Sequence, residues 1–198
     1  MDASLDAKLG LRDRSVGSRL GRLAVLLIAA VVVLSLPACG NGASRGSTLP
    51  SSVILTLSEV KEVLPEMTQD IATGEDETAL GNPTGTRSVT YASDDGSQRV
   101  VISVDQYQSS EDASSTYQEA VQGSKEAPGG EGETVSDLGE KAFIGVSAQG
   151  NETHVGGGAL YGDLIVNVTL QGYEGTNENK AKVTQLIRMQ AAAAKRAL

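Results

Sequence analysis

The sequence predicts an α+β domain, a mostly antiparallel sheet packed by helices as a layered sandwich in the order α-ββ-α-βββ-α. Three observations carry this. Apolar residues alternate in Val100, Ile102 and Val104 and again in Leu164, Val166, Val168 and Leu170, the period of a strand with one face on a core. They recur at three- and four-residue spacing in Ala113, Tyr117, Ala120 and Val121 and in Val183, Leu186, Ile187 and Ala194, the period of an amphipathic helix. Short turn sequences join strands to strands, and strands grouped in hairpins with helices between them indicate an antiparallel sheet.

Taken in order, Thr56 and Glu59 form a capping box, with Leu55 and Val60 placed as its hydrophobic staple. Leu57, Val60, Leu64 and Met67 continue at helical spacing, and Pro65 stops the regular helix near Leu64. Residues 73–86 read as a long polar loop. Arg87 to Ala92 and Arg99 to Tyr107 are strands of a hairpin turned by Asp94-Asp95-Gly96-Ser97. Ser109, three residues before Asp112, caps a helix that ends near Gly123. Ala127 to Gly132 is a Pro/Gly loop, and Leu138-Gly139 a tight corner. Three strands follow as a meander, from about Ala142 to Ala148, Thr153 to Tyr161, and through Leu164 to Leu170. Asn177 or Thr176 caps the last helix, whose closing Lys195 and Arg196 suit the negative end of the helix dipole.

Upstream of this domain, assigned to residues 53–198, the composition changes twice. Residues 40–52, Gly-Asn-Gly-Ala-Ser-Arg-Gly-Ser-Thr-Leu-Pro-Ser-Ser, have too little apolar surface to order themselves, so 39–52 is expected to be a flexible tether. Residues 1–38 have the pattern of an export signal. Lys8, Arg12, Arg14, Arg19 and Arg22 precede an uncharged apolar block, Leu23 to Leu36, and Pro37 and Ala38 end it. The block falls short of the ~20 residues a spanning helix needs.

Leu36-Pro37-Ala38-Cys39 resembles the lipobox of bacterial lipoprotein precursors, an aliphatic residue, two small ones and cysteine, with Pro37 where the pattern prefers Ala, Ser or Thr. The resemblance implies cleavage between Ala38 and Cys39 and lipidation of Cys39. It also implies a lipid-anchored protein on the extracytoplasmic face of the cell membrane. Two or more acyl chains anchor stably where one does not. Cys39 is the single cysteine of the chain, so no disulfide supports the fold. An ordinary signal peptide cut after Ala38 and an uncleaved signal anchor are the alternatives. The domain itself, with Leu55-Thr56-Leu57-Ser58-Glu59-Val60 at its start and Asp137-Leu138-Gly139-Glu140-Lys141-Ala142 before the meander, is similar to small actinobacterial lipoproteins with PsbP-like or sensor-like extracellular domains. That resemblance implies a fold and an envelope role, and brings no catalytic residues with it.

Charge and composition narrow the function. Residues 1–38 carry five positive and three negative side chains, so their removal takes the formal net charge from −9 to −11. Such an acidic body, without a basic stripe, disfavours nucleic-acid binding. With no Trp, one Phe and five Tyr, the composition disfavours a large aromatic-lined sugar site. His154 is the only histidine; no triad base, Gly-x-Ser-x-Gly or Cys/His cluster accompanies it, and a surface position is expected. No cofactor, metal or catalytic residue is therefore assigned.

The acid clusters Glu75-Asp76-Glu77, Asp94-Asp95, Glu111-Asp112 and Glu131-x-Glu133 lie in turns or at a helix start, where solvated acids belong. Gly156-Gly157-Gly158 lacks the Gly-Lys-Ser/Thr of a phosphate loop and points to a bulge or the close approach of another backbone. Asn167-Val168-Thr169 matches a glycosylation sequon without consequence in a bacterial lipoprotein. Tyr91, Tyr107, Tyr117, Tyr161 and Tyr173 fit core and edge packing better than a ligand cleft.

The reading is a non-catalytic, membrane-tethered domain whose partners are the bilayer, through Cys39, and an envelope protein or a small apolar or lipid ligand between sheet and helices. A carboxylate-dependent envelope hydrolase is the alternative from another class; it needs two acids converging in one cleft, one of them desolvated. An accessory subunit of a sensor or secretion system is the third.

Overall fold

The computed structural model describes residues 47–198, apart from 77, 128, 150 and 151. The expected signal segment, Cys39 and the first part of the expected tether lie outside the described residues.

Among the described residues, three α-helices and eight strands form helix, sheet and helix layers. The chain runs through β1 (Ser47–Thr48), a 3-10 turn (Ser51–Val53), α1 (Leu57–Val60), β2 (Gln69–Gly74), β3 (Gly85–Ala92) and β4 (Arg99–Gln106). It continues with α2 (Ser110–Glu126), β5 (Glu131–Thr134), β6 (Lys141–Gln149), β7 (Glu152–Tyr161), β8 (Leu164–Gln171) and α3 (Asn177–Ala197). The strand order is β1-β3-β4-β8-β7-β6-β5, and β2 shares the outer edge of β3 with β1. Every pairing is antiparallel except β1 with β3.

The α+β class, the hairpin, the meander and the two long helices are as the sequence predicts. The capping box is complete, with the Glu59 carboxylate accepting from the Thr56 N–H at 2.8 Å; those bonds hold the Glu59 carboxyl below its usual range. Gly96 closes the hairpin at φ 68°, left-handed geometry that costs glycine little. Ser109 and Thr176 cap α2 and α3 through their side-chain oxygens.

Three strands depart from the expected order. β1 falls inside the stretch expected as tether, where Leu49 is buried against Gly85. β2 occupies residues 69–74, partly within the expected polar loop, and β5 overlaps the expected Pro/Gly loop. β2 and β5 are solvent-facing edge strands, so no apolar alternation marks them. Backbone pairing alone makes them strands, and charged or polar side chains on such edges discourage pairing with other chains.

The period-2 alternation divides the sheet into two faces. Val89, Tyr91, Val100, Ile102, Val104, Ile144, Val155, Ala159, Val166, Val168 and Leu170 pack under α3 and the 53–67 segment in the main core. The opposite face carries Phe143, Leu160 and Ile165, which meet Tyr107 and Ala113 and Tyr117 of α2 in a smaller cluster. This second face is only partly filled.

Candidate functional site: a groove beneath α2

The space left on the α2 face is a cavity of about 300 Å³. Its floor is the inward set of four neighbouring strands: Val101, Ser103 and Asp105 of β4; Ile165, Asn167 and Thr169 of β8; His154, Gly156 and Gly158 of β7; and Phe143, Gly145 and Ser147 of β6. Its roof is α2, from Thr116 and Tyr117 through Ala120 to Ser124, and the Asp76–Leu80 loop closes one end. Asp105 lies opposite Ile165 and His154 opposite Gln171, six residues apart along β8, so the groove runs about 20 Å at ~3.3 Å per residue.

Glycines make the room. On the β7 floor, a Cβ at Gly156 would come within 3.1 Å of Thr169 Oγ1, and one at Gly158 within 2.7 Å of Asn167 Oδ1. The pairing of β7 with β6 and β8 keeps its register through all three glycines, so there is no bulge. The expected close approach is found: a Cβ at Gly157, on the core face, would meet the Phe143 carbonyl oxygen at 2.7 Å.

The polar end of the groove is built around Asp105, which is 2% exposed. Asn167 Nδ2 donates to its Oδ2 at 3.4 Å and to Ser103 Oγ at the same distance, while Asp105 Oδ1 has no partner. Burial, reinforced by the charge of Asp76, pushes the Asp105 carboxyl well above the usual carboxylate range. Asp76 is itself buried, its Oδ1 accepting from the N–H and hydroxyl of Thr78 and its own N–H donating to Thr86 Oγ1. Thr86 is in turn the β3 register partner of Asp105. Tyr107 closes this end by donating its hydroxyl to the Leu80 carbonyl at 2.9 Å, and burial raises the Tyr107 phenol.

At the far end His154 is 5% exposed, which corrects the surface position expected for it. Val155 points into the main core, so alternation turns His154 onto the face that α2 covers. Its Nε2 lies 3.7 Å from Glu152 Oε2, and its Nδ1 has no partner.

The acid clusters divide. Asp94, Asp95, Glu111, Asp112, Glu131 and Glu133 are exposed as expected, although Glu131 also reaches the groove rim. Of the first cluster, Glu75 is exposed, Asp76 is the exception, and Glu77 lies outside the described residues. The tyrosines divide too: Tyr107 and Tyr117 line the groove, whereas Tyr91 lies in the main core and donates its hydroxyl to the Leu55 carbonyl at 2.8 Å. Asp105, the most desolvated acid of the groove, carries no motif. Its signal is indirect: it occupies the non-core phase of the Val100-Ile102-Val104 alternation, on a face that a following helix covers.

No protein-family model matches the chain, and no curated protein does. Among solved structures, the extracellular domain of PknH from Mycobacterium tuberculosis is similar at a TM-score of 0.42 and 15% sequence identity, over 70% of this chain and 94% of that one. A likeness this shallow says nothing of function. Among the described residues no group of three or more His, Cys, Asp or Glu is placed to hold a metal ion. No described helix is long and apolar enough to cross a membrane.

Proposed function

We propose that the chain is a lipoprotein, held on the extracytoplasmic face of the cell membrane through lipidated Cys39, whose domain binds a small, largely apolar ligand beneath α2. The groove carries this reading. Val101, Phe143, Ile165, Tyr117 and Ala120 supply apolar walls, and a few convergent polar groups at its ends would fix orientation, the usual composition of a ligand site. Export and anchoring rest on the order of basic leader, apolar block and Leu36-Pro37-Ala38-Cys39.

Native mass spectrometry of the protein purified from its own membrane tests the binding claim. A small molecule that stays with the wild type and is lost from Ala120→Phe, which fills the groove from its roof, is the expected result. A wild-type mass accounted for by protein and anchor alone would reject it.

A carboxylate hydrolase is the second reading, because the two acids it needs, Asp76 and desolvated Asp105, line one cavity. Thr78 engages Asp76 Oδ1 twice, which leaves only Oδ2 of that acid to meet a substrate. Turnover of an ester or glycoside substrate that Asp105→Asn abolishes would favour it over simple binding. For an accessory subunit there is less support: among the described residues the exposed large apolar side chains are three, Ile71, Leu80 and Leu198.

A further inference from the structure

We infer that the groove selects a ligand carrying a protonated amine, with the ammonium seated at Asp105 beside Asp76 and the apolar body running under α2 toward His154. This rests on the binding reading above and adds the chemical class of the ligand.

Two independent observations carry it. The first is the charge of the lining. Among the described residues that line the groove are four acids, Asp76, Asp105, Glu119 and Glu131, and no lysine or arginine. Two lysines approach this face away from Asp105: Lys125 lies over the ring of Phe143, on the β6 side of the floor, at 5.6 Å, and Lys141 donates to Ser114 Oγ at 3.1 Å. Seated at the Asp105 end, a carboxylate or phosphate headgroup would lie beside like charge with no lysine or arginine in the lining to meet it, and burying an unpaired charge is costly. A fatty acid or an anionic phospholipid is thereby disfavoured.

The second is the unfilled acceptor. Asp105 Oδ1 is buried in the cavity wall without a partner, and a buried polar group left unpaired costs about 1–3 kcal/mol. An ammonium supplies three donors, enough to satisfy that oxygen. Asn167 does not compete, because its Nδ2 already reaches the other oxygen and Ser103.

The groups facing Asp105 are Asp76 from the β2–β3 loop, Thr86 from β3, Tyr107 from the end of β4 and Asn167 from β8, with Tyr117 and Glu119 lining the same groove from α2. Only acids and phenols among them titrate. Burial keeps the empty Asp105 carboxyl protonated further up the pH scale than an ordinary aspartate. Seating an ammonium therefore ionises it and sends one proton to solvent, so amine affinity rises with pH until the empty site is itself ionised.

The test is isothermal titration of the processed, lipidated chain in nanodiscs, with empty nanodiscs as blank, using hexylammonium, 1-hexanol and hexanoate. Hexylammonium should bind about tenfold more tightly than hexanol, the scale of one charge-assisted hydrogen bond, and hexanoate more weakly still. Asp105→Asn should remove the preference for the amine and the proton release, while hexanol binds it as before; Glu178→Gln, far from the groove on α3, should change neither. Equal binding of all three, or tighter hexanoate, overturns the inference and leaves the groove as a binding site. No binding by any of them overturns both.

Discussion

The side-chain carbonyl of Gln190 accepts the backbone N–H of Leu55 at 2.9 Å, across 135 positions of sequence. The same amide donates to the Val53 carbonyl, and Tyr91 donates to the Leu55 carbonyl. From the end of the 3-10 turn at Val53 to Leu55 the chain crosses a buried surface, where the Val53 carbonyl and the Leu55 N–H have no ladder to join. Gln190, wholly buried in the apolar stripe of α3, acts as that ladder.

Gln190→Leu keeps the bulk and removes both partners, leaving the Leu55 N–H and Val53 carbonyl buried and unpaired. At about 1–3 kcal/mol per group, the loss should be roughly 3 kcal/mol in urea unfolding, against about 1 kcal/mol for Tyr91→Phe. A Gln190→Leu midpoint equal to that of the wild type would mean that the segment satisfies itself in another way.

These residues show where sequence reasoning reaches and where it ends. Periodicity revealed the strands and helices that bury one face, because burial there imposes a pattern: Val100-Ile102-Val104 and Val183-Leu186-Ile187 could be nothing else. It missed β1, β2 and β5, which lie at the sheet's margins and owe their form to hydrogen bonds. The site was harder. Asn167 stands out only as a sequon, and Asp105 and Gln190 not at all, because a polar residue within an apolar pattern looks like noise until its neighbours are known. His154 and Asp76 look like surface residues in the sequence, since nothing local says that α2 or the β2–β3 loop will cover them.

Asp105 also gives stability a pH dependence. Its folded pKa is raised above its unfolded value, so between the two the native state binds more protons and stability falls as pH rises from about 4. Asp105→Asn should therefore raise the melting temperature at pH 7 and leave it nearly unchanged at pH 4, compared by calorimetry. An equal shift at both values would remove ionisation as the cause.

Asp95 works in the other direction. Hydrogen bonds from Ser93 and Ser97 hold its carboxyl down at about 2, so its contribution is present above the unfolded pKa and is lost as pH falls through about 2. In an NMR titration of the folded protein its carboxyl carbon should move near pH 2; a midpoint near 4 would show that the turn bonds do not persist in solution.

Two glycines form a matched pair. A Cβ at Gly157 would lie 2.7 Å from the Phe143 carbonyl oxygen and 2.8 Å from Ile144 Cγ1, whereas one at Gly74 meets nothing within 4 Å. Gly157→Ala should cost about 1–3 kcal/mol by overpacking, and Gly74→Ala should stay within about 0.5 kcal/mol of wild type. Similar midpoints for both variants in urea would contradict the packing on the core face of β7.

The anchoring proposal has its own readout. Cys39→Ala should abolish incorporation of radiolabelled palmitate and move the protein out of the detergent-extracted membrane fraction. Continued labelling would place the acyl group on another residue.

β1 governs how a moored domain would sit. Thr48, Thr86 and Asp105 stand side by side on three successive strands, so the place where the chain joins the sheet is about 10 Å from the buried carboxyl. Eight residue steps separate Cys39 from Ser47, a reach of about 28 Å at full stretch. With the anchor at Cys39, the leash is attached beside the closed, acid-lined end of the groove and is too short to let that end wander far from the lipid surface. So moored, the domain would sample what dissolves in the bilayer in preference to what diffuses past it.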